Sequence, residues 1–566
     1  MRMNLRYLGR SAVQHDHGHA AVRFSPNLDR PAVFYDAQVA EPVRFREAIS
    51  ALHEIVVSDL RVQKKDRTAW TAWKAERDRA LREEEEVIRA AAWNAGYTRG
   101  MEEQAVGEPP AALVKQFHRA HDTYWKARRK WASELTYKDP ELFRHLVPCD
   151  PVVTVAPDVV YFEGFARDES SYGCLFVDRD AFTGESTAGL GTTNVDYSLA
   201  LYEHFQTLRS YRPTRLKVDP TGFEVEVQGA ADYREEKIDL PPSWLRGFGQ
   251  LQAAMALPSQ TVTLPVEAVY SVLAHLKRHR EKGGPRCIEF HLEPGRSPTL
   301  VLQPWGTTIT THGVPWVGAR PEVIKVWGRR RLMVMARLLP LAERFEVRLL
   351  GTGLPSIWIA HMGPMRFVLG LSGWTANSWT AGANLDLLAG HHEPDPALDD
   401  QLCQWLEREQ SATLAALLQT AAGHPRSAVL GSLHTLAKQG QLIYDFTTER
   451  YRYRQVMPVA LSSGVLGPEP EELTEGRRLF QQRLVTIART ERFPNGKRYI
   501  EAHVDGTRCE ATFDADGFFA KARCSCSHHF RFKLRAGPCR HLLALKLTTD
   551  EATAARSERP ATASLH

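Results

Sequence analysis

The sequence predicts a multidomain α+β protein: an N-terminal helical hairpin, a central mixed α/β body of helix-plus-hairpin units, a winged-helix-like domain and a C-terminal metal-binding finger. Three observations carry that expectation. The chain has 566 residues, more than the roughly 250–300 at which one hydrophobic core stops growing. Helical and strand periodicities alternate along most of its length. Near the C-terminus, cysteines and a histidine fall at the spacings of a metal site.

Composition narrows the class. Hydrophobic residues at 43% and charged residues at 25% are ordinary for a folded soluble chain. A net charge of +5, spread over 72 basic and 67 acidic side chains, points by itself to neither nucleic acid nor membrane, so local charge has to decide. No run of about 18 apolar residues is present, and the opening MRMNLRYLGRSAVQHDHGH lacks the apolar stretch of a secretory signal. A cytoplasmic chain with no membrane partner is the expectation. Of the eight cysteines, Cys149, Cys174, Cys287, Cys403 and Cys509 are scattered and read as small buried hydrophobes, not as a disulfide framework.

Residues 1–40 form a short, β-leaning segment. Residues 41–148 read as a helical hairpin: Trp70, Trp73, Leu81 and Ile88 share one helix, Gly107 to Pro110 breaks it, and Val114, Phe117, His121, Tyr124, Arg128, Trp131 and Leu135 align on the next. Within 149–380, a helix followed by strands recurs three times. The helices are placed at 195–210, from Leu264 through Leu276, and at 329–341. Their strands lie at 215–218 and 223–227, at 287–292 and 299–303, and at 345–350, 356–361 and 366–371. Such units each bury one helical stripe on a sheet face. Residues 381–395, rich in Gly, Ala, Asp, His and Pro, read as a linker.

Residues 396–457 have the order of a winged helix. Leu398, Leu402 and Trp405 mark its first helix, and Leu414, Leu417 and Leu418 its second. Val429, Leu433 and Leu436 mark a third, in the recognition position, which stops at Gly440. The segment QLIYDFTTERYRYRQV supplies the wing, where Arg450, Arg452 and Arg454 at alternate positions would form one basic stripe. In 470–549 a helix near 472–482 precedes four strands separated by Asn495-Gly496, Asp505-Gly506 and Asp516-Gly517. The tail 550–566 is polar and expected to be disordered.

The meander delivers the chain to Cys524 and Cys526, followed after twelve residues by Cys539 and His541. Residues two apart on a strand face one side, so the first pair can present both sulfurs to one ion, and Gly537-Pro538 returns the second pair. Three thiolates and an imidazole complete a tetrahedron for one structural Zn2+, with no open position for water. Cys539 would open a helix, whose unpaired N–H groups favour a thiolate. Lys521, Arg523, Arg531, Lys533, Arg535, Arg540 and Lys546 lie between Gly517 and Leu547, an interval without Asp or Glu. His528 and His529 are too close to Cys526 for a good chelate loop and read as loop residues.

The stretch C-S-C-x12-G-P-C-R-H-L-L-A-L resembles the SWIM zinc finger, whose pattern is C-x-C, a variable gap and C-x-H. With the preceding strands the resemblance covers about a tenth of the chain. It implies zinc ligation by Cys524, Cys526, Cys539 and His541 and a module that binds DNA or protein. The chain looks most like the free-standing bacterial members, and the resemblance implies MoxR-like AAA+ ATPases and von Willebrand A proteins as partners.

The leading expectation is a non-enzymatic zinc-binding adaptor that contacts nucleic acid, DNA foremost, through Arg426 and Lys438 on the third helix, Arg450, Arg452 and Arg454 on the wing, and Arg523, Arg531, Lys533, Arg535 and Arg540 around the finger. The alternative is a protein-interaction scaffold without nucleic acid. Phosphate-loop, dinucleotide, zincin and serine-elbow motifs are absent, so no enzyme is expected. Asp178, Asp180 and Glu185 read as ordinary loop acids, and His15, His17 and His19 as a solvent-exposed cluster.

Overall fold

A computed structural model describes residues 5–6, 12–16, 19–24, 33–58, 151–184, 188–194, 205–206, 208–211, 213–218, 236–237, 242–255, 257–279, 287–373, 385–388, 395–456, 470–494 and 496–557, with isolated helical positions between 112 and 123. The chain divides into two compact units, 60–147 and the remainder. The tryptophans of the expected helical hairpin, the strand at 223–227, His17 and Glu185 lie outside the described residues.

One motif recurs in the larger unit: a lead strand, a helix, then three antiparallel strands. It appears as Phe34–Val39, Pro42–Val56, Val152–Val155, Val159–Phe165 and Ser171–Asp178. It appears again as Gln260–Leu264, Val266–Arg278, Ile288–Leu292, Thr299–Leu302 and Thr307–Thr310. The third copy is Glu322–Val326, the 3-10 segment Arg329–Arg337, Arg344–Leu349, Ser356–Met362 and Met365–Leu371. The repeat is thus larger than helix plus hairpin. Helix Pro42–Val56 is the helix of the first copy and does not belong to a separate hairpin domain, and the segment at 329 is 3-10, not α.

Each lead strand leaves its own copy. Gln260–Leu264 pairs with the first strand of the third copy, while Glu322–Val326 pairs with the first strand of the second. The same exchange joins Phe34–Val39 to Thr214–Val218, and Gly191–Asn194 to Val152–Val155. Strands Ser171–Asp178 and Met365–Leu371 then pair, which fuses the copies into an eight-stranded sheet.

That sheet is covered on both faces. Its inner strands are therefore almost wholly buried runs, broken only at His361 among the three central strands, instead of alternating patterns. Val160, Phe162, Leu175 and Val177 face the core beneath helices Pro42–Val56 and Val266–Arg278. Tyr161, Phe165, Tyr172 and Phe176 face a second core with helix Pro242–Met255 and the C-terminal segments. The first helix crosses so closely at Gly173 that a Cβ there would meet Ile55 at 2.7 Å.

Residues 395–456 hold helices Pro396–Glu409, Leu414–Thr420 and Arg426–Lys438 and a three-stranded sheet of Ser411–Thr413, Arg450–Tyr453 and Leu442–Asp445. Asp395 and Thr413 cap the first two helices by accepting the N–H groups of Leu398 and Ala416. The third helix packs against both Pro396–Glu409 and Pro242–Met255.

The basic stripe expected on the wing is corrected by burial. Arg452 is 1% exposed and Arg454 0%. Arg452 donates to Asp445 and to Asp158 of the central body, both at 2.8 Å. Arg454 donates to Glu163 at 3.0 Å, which also accepts from Tyr172 at 2.8 Å, and its guanidinium lies 4.7 Å from the Phe248 ring. Strand periodicity places the two arginines on one face, but that face meets the eight-stranded sheet. The wing turn is held too, because Arg366 bridges Thr447 and Asp178. Asp178 is therefore an ion-pair partner. In the expected linker, Leu385 and Leu388 are buried, and the last helix runs to Ser557, past the expected start of the tail.

Removing one member of a buried ion pair strands the other, at a cost of about 3–5 kcal/mol. Arg454→Met should lose that much stability in denaturant titration, and Arg454→Met with Glu163→Gln should lose less than the two single losses summed. Burial, the largest influence on Asp445, would raise its carboxyl, but the charge and hydrogen bond of Arg452 and the hydroxyls of Thr447 and Thr448 outweigh it and hold the group below the usual range. Asp158 is lowered likewise, burial being overcome by the Arg452 hydrogen bond and charge. Depressed carboxyls contribute stability above their unfolded value of about 4 and lose it as pH falls through the lower folded values. Acid titration of Asp445→Asn should show a shallower loss over that range than the parent chain.

Candidate metal centre

The C-terminal module is assembled from helix Glu471–Gln481 and strands Val485–Arg492, Arg498–Val504, Thr507–Phe513 and Phe519–Cys524. Asp505 and Gly506 both have positive φ, as a two-residue hairpin with the twist of its strands requires. The last strand ends on Cys524. Cys526 then caps the short helix Ser527–Phe532, its sulfur accepting the His529 N–H at 3.3 Å. Gly537, with φ of 93°, reverses the chain, and helix Arg540–Ser557 begins directly after Cys539.

Helix Glu471–Gln481 braces that start. A Cβ at Gly476 would lie 2.8 Å from Leu543, so only glycine permits this crossing. It brings Glu472 to accept the Arg540 N–H at 2.6 Å and its guanidinium at 2.7 Å. A carboxylate thus satisfies an otherwise unpaired donor at the helix start.

Cys524, Cys526, Cys539 and His541 converge, their donor atoms all within 4.8 Å of one another, and this Cys3His cluster can hold one metal ion. With bonds of about 2.3 Å to sulfur and 2.0 Å to nitrogen, tetrahedral edges are about 3.5–3.8 Å. The separation of Cys524 Sγ and His541 Nδ1 is 3.8 Å. Cys539 is fully buried and Cys524 nearly so. The Cys526 thiol is pulled down to about 6, first by its hydrogen bond with Cys539 and further by the His529 N–H. Cys524 is held far below the usual thiol range by hydrogen bonds with Cys509 and Cys539. His528 and His529 are helical, not loop residues, and neither joins the cluster.

Cys509 is the neighbour that sequence reasoning missed. It sits directly across the last hairpin from Cys524, with its sulfur 3.4 Å away. Counting back from Asp516-Gly517 would pair other residues, because the register shifts between Thr512 and Phe513.

The cations around the cluster divide into two groups. Arg540 pairs with Glu471 and Glu472, Lys521 with Glu322, and buried Lys546 with Asp550 and the Gly517 carbonyl. Arg426, on the third helix of the preceding segment, pairs with Asp516 of the module at 2.7 Å. Arg450 donates to Ser411, and Arg535 to the carbonyls of Arg531 and Phe532. Lys438 is half-buried beside Gly249. Arg523, Arg531 and Lys533 are exposed and form no ion pair with a described carboxylate. The absence of acids from the local sequence is offset by acids from other elements, so three of the expected cations, not ten, remain both exposed and outside ion pairs and backbone contacts. Among the described residues, no helix is long and apolar enough to cross a membrane.

The cluster makes a stoichiometric prediction. Metal analysis of freshly purified protein should return about one equivalent, lost in Cys539→Ser and retained in Cys509→Ser, because Cys509 lies outside the tetrahedral set. Chelation should expose residues 484–547 to protease before the rest of the chain, since a bound ion contributes its binding energy to folding.

Compared with known proteins, the chain matches no family model and no curated protein. Among solved structures, proliferating cellular nuclear antigen from Entamoeba histolytica is similar at 14% identity, over 39% of this chain and 88% of that one, with a TM-score of 0.28.

Proposed function

We propose that the chain is a non-enzymatic adaptor stapled by one structural zinc ion in a SWIM-type finger, and that it binds nucleic acid, DNA foremost, through the finger's exposed cations. Zinc follows from the donor set: three thiolates and an imidazole in tetrahedral reach suit it over the harder cations, which take oxygen. Four protein donors leave no position for a reacting water, so the ion acts as a cross-link between the meander and the last helix. The observation that carries the nucleic-acid reading is the exposed group of Arg523, Arg531 and Lys533 beside the cluster, without described carboxylate partners. Phosphates would neutralise what the protein does not.

This reading gives the wing a different part from the one its order suggested. Arg452 and Arg454 are engaged with buried carboxylates, and the third helix is covered by Pro242–Met255, so the contact surface is assigned to the finger.

Binding to mixed-sequence DNA should weaken as salt rises, with the slope reduced by about 0.9 for each phosphate contact removed. Arg531→Ala with Lys533→Ala should lower both affinity and slope. Arg450→Ala should leave the slope unchanged. A salt-independent interaction, or none, would turn the assignment to a protein-interaction scaffold, where a pull-down insensitive to nuclease is the expected result.

A further inference from the structure

The short helix between the two halves of the metal cluster carries a feature that charge does not explain. Phe530 is 80% exposed and Phe532 38% exposed, while His529, immediately before them, is buried. Single exposed apolar residues are common and need no explanation. Here two exposed rings stand two residues apart on one short helix, and each has a cation within 6 Å of its centroid. Lys533 Nζ lies 5.5 Å from the Phe530 centroid, and the Arg531 guanidinium 5.8 Å from that of Phe532, which also meets the His528 ring at 5.1 Å. The segment is fixed at both ends, by Cys526 before it and Cys539 after it, so the rings are presented on a stapled base.

We propose that this surface takes single-stranded nucleic acid in preference to duplex, with Phe530 as the platform on which an unpaired base stacks. The proposal rests on the nucleic-acid reading above and names the form of its ligand. The cations recognise phosphate in either form. The rings discriminate, because a duplex stacks its bases internally and offers an exposed phenyl only its charged exterior, whereas a single strand offers free π-faces of any sequence. A contiguous protein interface is less well matched, since the core of such a patch is depleted of charge and here both exposed rings lie within 6 Å of a cation. Arg523, on the preceding strand, is a further exposed cation of the same module.

The test is fluorescence anisotropy with the full-length, metal-loaded chain, using oligothymidylate and a duplex of equal length. The parent should bind oligothymidylate more tightly. Phe530→Ala should weaken that binding about tenfold, a loss of one stacked base, and leave duplex binding and metal content unchanged. Phe530→Trp should retain the preference. Phe530→Leu, which keeps an apolar side chain without an aromatic face, should lose it, and this variant decides the matter if alanine disturbs the fold. Equal affinity for both forms, unaltered by Phe530→Leu, overturns the stacking platform and leaves nucleic-acid binding standing. Failure of the metal-loaded parent to bind either form overturns both readings. Loss of a captured protein in Phe530→Leu, with oligonucleotide binding unchanged, makes the surface a protein contact and overturns the proposal.

Discussion

The buried guanidinium groups of Arg452 and Arg454 are the constraint on which the arrangement of the larger unit depends. Moving a charge out of water costs several kcal/mol even after relaxation, so such a group persists only where partners are already in place. Asp445, Asp158 and Glu163 are those partners; Glu163 lies in a strand of the eight-stranded sheet, almost 300 residues earlier in the chain, and Asp158 in the turn that precedes that strand. The pairing gives a register that hydrophobic burial alone lacks: a slip of the short sheet by one residue would bury the arginines against no carboxylate. Docking is specified as well as stabilised.

From that weld the C-terminal module takes its position. Arg426, on a helix packed against the welded sheet, reaches Asp516 in the last hairpin, and Arg535 lays its side chain against the loop at Gly353, where a Cβ would meet it at 2.9 Å. Within the module, Gly476 and Glu472 set the start of the final helix, and the metal cluster fixes that start to the end of the meander. A structural zinc site can contribute about 10–16 kcal/mol in small peptides, comparable to the whole stability of a domain. For a module of one sheet and three helices, a bound ion contributing that much would decide whether the segment between Cys526 and Cys539 holds one shape.

Much of this was legible where a single residue type has one physical use. The spacing of Cys524, Cys526, Cys539 and His541 identified the cluster because few other arrangements need two close pairs of thiol and imidazole donors, although the first pair converges from a strand end and a helix cap and not from one strand face. Asp505-Gly506 marked a hairpin because both residues must take positive φ. What was not legible depended on distant partners. Arg450, Arg452 and Arg454 look alike in sequence, and only acids elsewhere in the chain send two of them inward. The exchange of lead strands between copies of the repeat leaves no local trace either, since an exchanged strand has the same pattern as one that stays. Cys509 was hidden by a single-residue register shift.

The same reasoning explains why local charge overstates a binding surface. Between Gly517 and Leu547 the sequence offers seven cations and no acid, which looks like an unbroken basic face. Folding brings Glu471 and Glu472 from the preceding helix, Glu322 from the central body and Asp550 from beyond the interval, and four of the seven become structural through those acids or through backbone carbonyls. A cation satisfied by a carboxylate has little left to offer a phosphate, because the exchange replaces one ion pair with another and releases no net charge to the solvent. What remains is selected by exclusion: Arg523, Arg531 and Lys533, on the last strand and around the short helix beside the metal cluster, next to the exposed rings of Phe530 and Phe532. Charge and exposed π-surface coincide on the segment that Cys526 and Cys539 bound at its two ends, which ties any recognition there to the integrity of the cluster.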